Sequence, residues 1–137
     1  VLAGYSGSLG IKASAHVKVI DYSNELENLS SIADLVVSRA GATTLAELAL
    51  QGKAVISVPN PNLTGGHQLK NSSILASSGA VLEFLEDGLP DDLAKQILSL
   101  ANDSRARQEL SARLSKTAKP DASSKLADII IKVAKKV

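Results

Sequence analysis

The sequence predicts an α/β fold, a Rossmann-like parallel sheet with helices on both faces and further helices at its carboxyl end. Three observations lead there. Short runs of apolar β-formers alternate with stretches of helical periodicity, the connections between them are short, and two of the runs are apolar but for one serine each. Alternation with short links implies parallel strands joined by helical crossovers. A strand covered on both faces reads as a continuous apolar run. The chain has 137 residues, enough for one domain, taken here as residues 1–137.

The elements follow in order. Val1–Ala3 reads as the tail of a strand and Gly4 to Ser14 as a Gly/Ser-rich loop. Val17 to Ile20 is expected as a short strand. Ser23 or Asn24 is placed to cap a helix over Glu25–Ile32. Leu35 to Ser38 is an apolar strand, followed by a helix from about Thr43 to Gln51 that Gly52 terminates. Ala54 to Val58 is the next buried strand, stopped by Pro59. A helix from about Gly66 to Ser78 ends at Gly79, and Val81 to Phe84 is a last strand.

Three helices complete the chain. The first, Asp91–Ala101, carries Leu93, Ile97, Leu98 and Leu100. The second, Arg105–Thr117, carries Leu110 and Leu114. The last opens at Pro120, with Leu126, Ile129, Ile130 and Val133 in one stripe. Between the first two strands the order is strained. A parallel crossover takes at least about 10–12 residues, usually helical, and Gly4–His16 is a poor helix former. The first strand pair is thus connected irregularly or has lost material. No methionine occurs and the chain opens on Val1-Leu2-Ala3-Gly4, which reads as a piece of a longer protein.

Composition narrows the function classes. Hydrophobic residues make up 45 % but aromatics only 2 %, so Leu, Ile, Val and Ala must build the core. Base stacking on aromatic platforms is then a poor option, which argues against nucleic acid as a partner. With no cysteine there is neither a disulfide nor a thiolate metal site, and two histidines, His16 and His67, leave little for zinc. No apolar run approaches the ~18 residues of a membrane span, no secretory signal is visible, and a cytoplasmic setting is expected. Net charge is +1, yet residues 105–137 hold nine Lys/Arg against three Asp/Glu. That basic third reads either as a solvated helix face or as attraction to an anionic membrane surface.

The functional information is concentrated in residues 38–71. The first strand ends in Ser38-Arg39-Ala40-Gly41-Ala42-Thr43-Thr44-Leu45-Ala46-Glu47, and the second in Val58-Pro59-Asn60-Pro61-Asn62-Leu63-Thr64-Gly65-Gly66-His67-Gln68-Leu69-Lys70-Asn71. In a parallel sheet such loops lie at the carboxyl edge, where ligands bind. Helix amino termini there offer free N–H groups to an anion.

These two segments, in this order and spacing, resemble the paired donor-binding signatures of the MurG-type glycosyltransferases of family 28. The His67-Gln68 pair is also similar to the Alg13 subunit of the eukaryotic N-acetylglucosaminyltransferase. The likeness continues through Gly79-Ala80 into Pro120-Asp121-Ala122, over roughly residues 16–136. It implies the carboxyl-terminal half of a GT-B enzyme, in which two Rossmann-like domains face each other and this half binds UDP-N-acetylglucosamine (UDP-GlcNAc). The implied chemistry is inverting, metal-independent transfer without a cofactor, onto the lipid-linked muramyl-pentapeptide of peptidoglycan synthesis. The implied partners are UDP-GlcNAc, an acceptor-binding domain or subunit, and a lipid-linked acceptor at the inner face of the membrane.

Residue by residue, the resemblance assigns Glu47 to the two ribose hydroxyls, a task suited to a group that accepts two hydrogen bonds. Ala42, Thr43 and Thr44 match the helix start that faces diphosphate and sugar. His67 and Gln68 match the pair that reads sugar hydroxyls, with Asn71 one turn on. Tyr22-Ser23 matches the segment that pairs with uracil, and Arg39 a strand-end arginine that braces the loop. Two features depart from the family. Its first unit, a strand, a Gly-Gly-Ser loop and a helix, is missing, unless Gly4-Tyr5-Ser6-Gly7-Ser8-Leu9-Gly10 is the remnant. The acceptor-binding half is absent too, so the chain alone is expected to be inactive.

Structural readings stand beside these. Thr44-x-x-Glu47 is also a capping box. Arg39 can pair with Asp34 or Glu47, His67 can be an ordinary helix-start histidine, Gln68 a surface residue and Asn71 a structural one. Gly65-Gly66 can be only a turn, and His16 a plain strand-edge residue. Asp91-Asp92 suit a helix dipole rather than catalysis. The alternative function is a non-catalytic α/β module that binds a nucleotide or a protein partner.

Overall fold

Among the described residues three parallel strands form a sheet, in the order β1 (Leu35–Ser38), β2 (Ala54–Ser57), β3 (Leu82–Glu83). The structure, a computed structural model, describes residues 14–20, 23–85, 87 and 90–135. The strand tail expected at residues 1–3, most of the Gly/Ser-rich loop and Tyr22 lie outside the described residues. The helices are α1 (Leu26–Ser31), α2 (Ala42–Leu50), α3 (His67–Ser77), α4 (Pro90–Asn102), α5 (Ser104–Ser115) and α6 (Ala122–Ala134).

Strand β2 is the keystone. All four of its residues are buried, Ser57 beside three apolar neighbours. Successive side chains point to opposite faces of a sheet, and the core divides accordingly. Val55 packs with Leu45, Leu48 and Ala49 of α2, with Ala80 and Val81, and with Leu114 of α5. Its neighbour Ile56 packs on the other side with Phe84 and Leu100, joined by Leu93, Ile97, Ala106 and Leu110 of α4 and α5. Helices therefore cover both faces, as the sequence predicts.

Glycines end two of the crossover helices. Gly52 follows α2 with φ +63° and Gly79 follows α3 with φ +67°, a left-handed turn that L side chains rarely adopt. At Gly79 a Cβ would also lie 2.6 Å from Arg113 Nη1. Polar ties then fasten the turn after α2 to its neighbours. Gln51 Nε2 donates to the Glu27 carbonyl and Lys53 Nζ to those of Ser31 and Ala33, which docks α1. Ser111 Oγ of α5 donates to the Gly52 carbonyl.

The structure corrects several element boundaries. Residues 17–20 form no named strand; instead Ser14 and Val17 exchange two backbone hydrogen bonds across a tight turn. A strand exists only through a neighbour, and Val17 here spends its backbone groups locally. Helix α2 begins at Ala42 rather than Thr43, with Gly41 as its N-cap. Strand β3 keeps only two of the four expected residues. Helix α6 forms, but it has no buried residue, and Leu126, Ile129, Ile130 and Val133 are each more than half exposed. No helix among the described residues is long and apolar enough to cross a membrane.

Leu114 is fully buried where α5 meets α2 and β2. Leu114→Ala should cost about 2–5 kcal/mol, the range for a buried leucine that leaves a cavity, measured by urea unfolding. Gly79→Ala should cost at least about 1–2 kcal/mol from the left-handed backbone alone. An unshifted urea midpoint would show that the turn after α3 relaxes.

Candidate functional site

The parallel register pairs Leu35 with Ala54 and Ser38 with Ser57. The two strands therefore end at the same level, and the Val58 N–H donates to the Ser38 carbonyl at 2.8 Å just beyond. Neighbouring strands lie about 4.8 Å apart, so the loops that follow β1 and β2 emerge side by side. Each opens a helix.

Both helix starts are free of side-chain caps. Gly41 caps α2 and Gly66 caps α3, and neither cap supplies a side-chain hydrogen bond. The first N–H groups of a helix have no partner within it and carry the positive end of its dipole. Ala42, Thr43 and Thr44 make up the first turn of α2, while His67 and Gln68 open α3. The entry to α3 is a short 3-10 turn, Thr64–Gly66, in which Gly65 has φ +80° and Gly66 φ +61°. A Cβ on Gly65 would lie 2.8 Å from His67 Nε2, so the imidazole folds back over a backbone that glycine alone leaves open.

Side chains lock the two loops to each other. Arg39 Nη1 reaches from the end of β1 to the Val58 carbonyl at 3.4 Å, the bracing contact expected of a strand-end arginine. Asn71 Nδ2 donates to the Ala40 carbonyl at 3.2 Å, tying α3 to the loop before α2. Below them Ser72 Oγ donates to Ser57 Oγ at 2.9 Å, and both residues are fully buried. The Asn60 N–H donates to Gln68 Oε1 at 3.0 Å, and Asn60 Oδ1 in turn accepts from the Asn62 N–H.

Glu47 stands apart from this lattice. With the N-cap at Gly41, Thr44 is the third residue inside the helix, so Thr44-x-x-Glu47 is not a capping box. Glu47 is exposed, and the ion pairs among the described residues leave out both it and Asp34. Its carboxylate is available to a ligand. Ala42 and Asn71 line one hollow of about 240 Å³ between α2 and α3, with Leu45, Ala46, Ile74, Leu75 and Thr117. Neither Glu47 nor Gln68 lines it. Ser23 lies at the start of α1, where its Oγ accepts from the Glu25 N–H at 3.0 Å. That bond is local and does not bring Ser23 to the two loops.

Sequence reasoning passed over three participants. Ser57 is the one hydroxyl in an otherwise apolar buried strand, which is a legible sign of a buried polar pair, and Ser72 is its partner. Asn60 sits between Pro59 and Pro61, and a turn-forming Asn between prolines signals a fixed loop.

Comparison with known proteins agrees with this geometry. The sequence pattern of the glycosyltransferase family 28 C-terminal domain matches residues 6–126. A UDP-N-acetylglucosamine--N-acetylmuramyl-(pentapeptide) pyrophosphoryl-undecaprenol N-acetylglucosamine transferase from Limosilactobacillus fermentum is 39 % identical over 118 residues, 85 % of this chain and 32 % of that protein. The protein of the same name from Lacticaseibacillus casei is 33 % identical over 116 residues, again 85 % of this chain and 32 % of the relative. The crystal structure of Acinetobacter baumannii MurG superposes with a TM-score of 0.75 at 28 % identity, covering 84 % of this chain and 33 % of that one. The chain thus spans about a third of the length of these relatives. With the signatures, the fold and the sequence match in agreement, the chain belongs to glycosyltransferase family 28, whose C-terminal domain it represents.

Proposed function

We propose that this chain is the UDP-GlcNAc-binding part of an inverting N-acetylglucosaminyltransferase that acts on a lipid-linked peptidoglycan precursor. The observation that carries the reading is the pair of uncapped helix starts that follow β1 and β2, with Asn71 tying α3 to the loop before α2 and an unengaged carboxylate further along α2. Relatives named as transferases of N-acetylglucosamine to a pyrophosphoryl-undecaprenol acceptor support the substrate class.

The chemistry follows from those parts. A diphosphate placed at the two helix starts meets free N–H groups and two positive dipole ends, each worth roughly half a charge. These stabilise the negative charge that grows on departing UDP as the glycosidic bond breaks. Transfer is then metal-independent and uses no cofactor. Glu47 lies five residues beyond Ala42, about 7.5 Å along the helix at 1.5 Å per residue, a reach that suits a ribose adjoining the diphosphate. Its two oxygens accept from both ribose hydroxyls. Thr43, His67 and Gln68 flank the sugar, Ser23 pairs with the base, and Arg39 and Asn71 hold the loops. The acceptor half belongs to sequence outside this chain, as a domain or a subunit. The whole acts at the cytoplasmic face of the membrane as a peripheral protein.

The competing reading is a non-catalytic module that binds a nucleotide or a protein partner. Titration by NMR separates the two. UDP-GlcNAc should shift the amides of Ser23, Thr43, Glu47 and Gln68, and ADP should not; equal responses to both nucleotides would favour the module. Glu47→Ala should weaken UDP binding by about 1.5–3 kcal/mol, the range for hydrogen bonds to a charged group, read by calorimetry. An unchanged affinity would remove Glu47 from the ribose site. The isolated chain should transfer no sugar to a lipid acceptor, and EDTA should leave its UDP affinity unaltered.

A further inference from the structure

Two amide side chains on the first turns of α3 have their orientation set by main-chain groups. The partner of Gln68 is the Asn60 N–H, at 3.0 Å. An N–H only donates, so the atom opposite it must be Oε1. The partner of Asn71 is the Ala40 carbonyl, at 3.2 Å. A carbonyl only accepts, so the atom opposite it must be Nδ2. In each case the backbone resolves which end of the amide is which. The remaining ends, Gln68 Nε2 and Asn71 Oδ1, have no protein partner among the described residues. They are not sealed away either: the buried side-chain atom without a partner among these residues is Gln96 Oε1.

We infer that the Asn60 N–H is a positioning group that makes Gln68 a hydrogen-bond donor to the ligand. Gln68 and Asn71 are three apart on α3, hence on one face. A donor of fixed polarity matches the oxygen of a sugar hydroxyl, which can accept one proton while giving its own elsewhere. This rests on the sugar-binding role proposed above for Gln68 and assigns its atoms. It also gives the Pro59-Asn60-Pro61 loop a function, since the two prolines restrict the backbone that carries the deciding N–H.

Gln68→Glu isolates the donor. The glutamate keeps an oxygen for the Asn60 N–H but has no N–H to give the ligand, whereas Gln68→Met loses both. Amide hydrogen exchange on the unliganded chain reads the positioning bond. The Asn60 N–H should be protected in the parent and in Gln68→Glu, and should exchange at least tenfold faster in Gln68→Met. Calorimetry with UDP-GlcNAc and with UDP reads the ligand side. Both variants should lose at least tenfold in affinity for UDP-GlcNAc while staying within twofold of the parent for UDP. Parent-like UDP-GlcNAc affinity in Gln68→Glu would overturn the inference, because the oxygen alone would then suffice. Rapid exchange of Asn60 in the parent would overturn it as well. If the parent binds UDP but does not distinguish it from UDP-GlcNAc, the inference falls while the nucleotide site stands; if it binds neither, both fall.

Discussion

The pairing of β1 with β2 is the constraint on which the site depends. Four residue pairs in parallel register place Ser38 and Ser57 abreast, and everything at the carboxyl edge follows from that. Because both strands stop at one level, the loops that follow them leave side by side, and Asn71 ties α3 to the loop before α2. A slip of a single residue would exchange the faces of Val55 and Ile56. Those two residues anchor opposite halves of the core, so the register is held by burial on both sides. The core thereby specifies the geometry of a crevice that lies beyond the ends of its strands.

Above the sheet the crevice is held mainly by side chains bonded to main chain. Arg39 to Val58, Asn71 to Ala40 and Asn60 to Gln68 each join groups on different loops or helices. Of these ties, only the Ser57–Ser72 pair is side chain to side chain, and it lies fully buried. Once the strands are in place such ties have only a side chain left to order, because the backbone groups they use are already fixed. They also commit one end of each amide to the protein and leave the other without a protein partner among the described residues. Asn71 is therefore structural and yet lines the hollow beside Ala42. The two readings of that residue, support and ligand contact, are compatible because an amide has two ends.

Legibility in the sequence tracked how local the cause was. Strands β1 and β2 were readable because short, continuous apolar runs of β-formers, each closed by small polar residues, rarely form anything but buried strands. The ends of α2 and α3 were readable because Gly52 and Gly79 stop helices through their own backbone freedom. The family signatures pointed to the two loops after β1 and β2, which Arg39 and Asn71 join. What failed was non-local. Residues 17–20 have the composition of a strand but form none that is named, and Val17 bonds to Ser14 across a turn instead, since strand formation depends on what lies alongside. Thr44-x-x-Glu47 fits the capping-box spacing, yet the chain enters α2 three residues before Thr44, at Gly41, whose φ −65° and ψ 134° suit an N-cap. That shift converts Glu47 from a capping residue into an unoccupied acceptor. The orientation of Gln68 was invisible because it depends on a backbone N–H eight positions away.

Helix α6 shows where periodicity ceases to be informative. Its apolar stripe at Leu126, Ile129, Ile130 and Val133 is as regular as the one on α4, where Leu93 and Ile97 pack on a core. The two helices have the same length of 13 residues. On α4 the stripe meets β2 and β3; on α6 every residue is exposed. Isolated helices shorter than about 12–15 residues are marginal in water, and the i,i+4 pair between Asp121 and Lys125 adds only about 0.3–0.5 kcal/mol. The stripe therefore encodes a burial that the described residues do not supply. A hydrophobic period records that a face is built to be covered, and it is silent about what covers it. For α4 the cover lies among the described residues, and for α6 it does not.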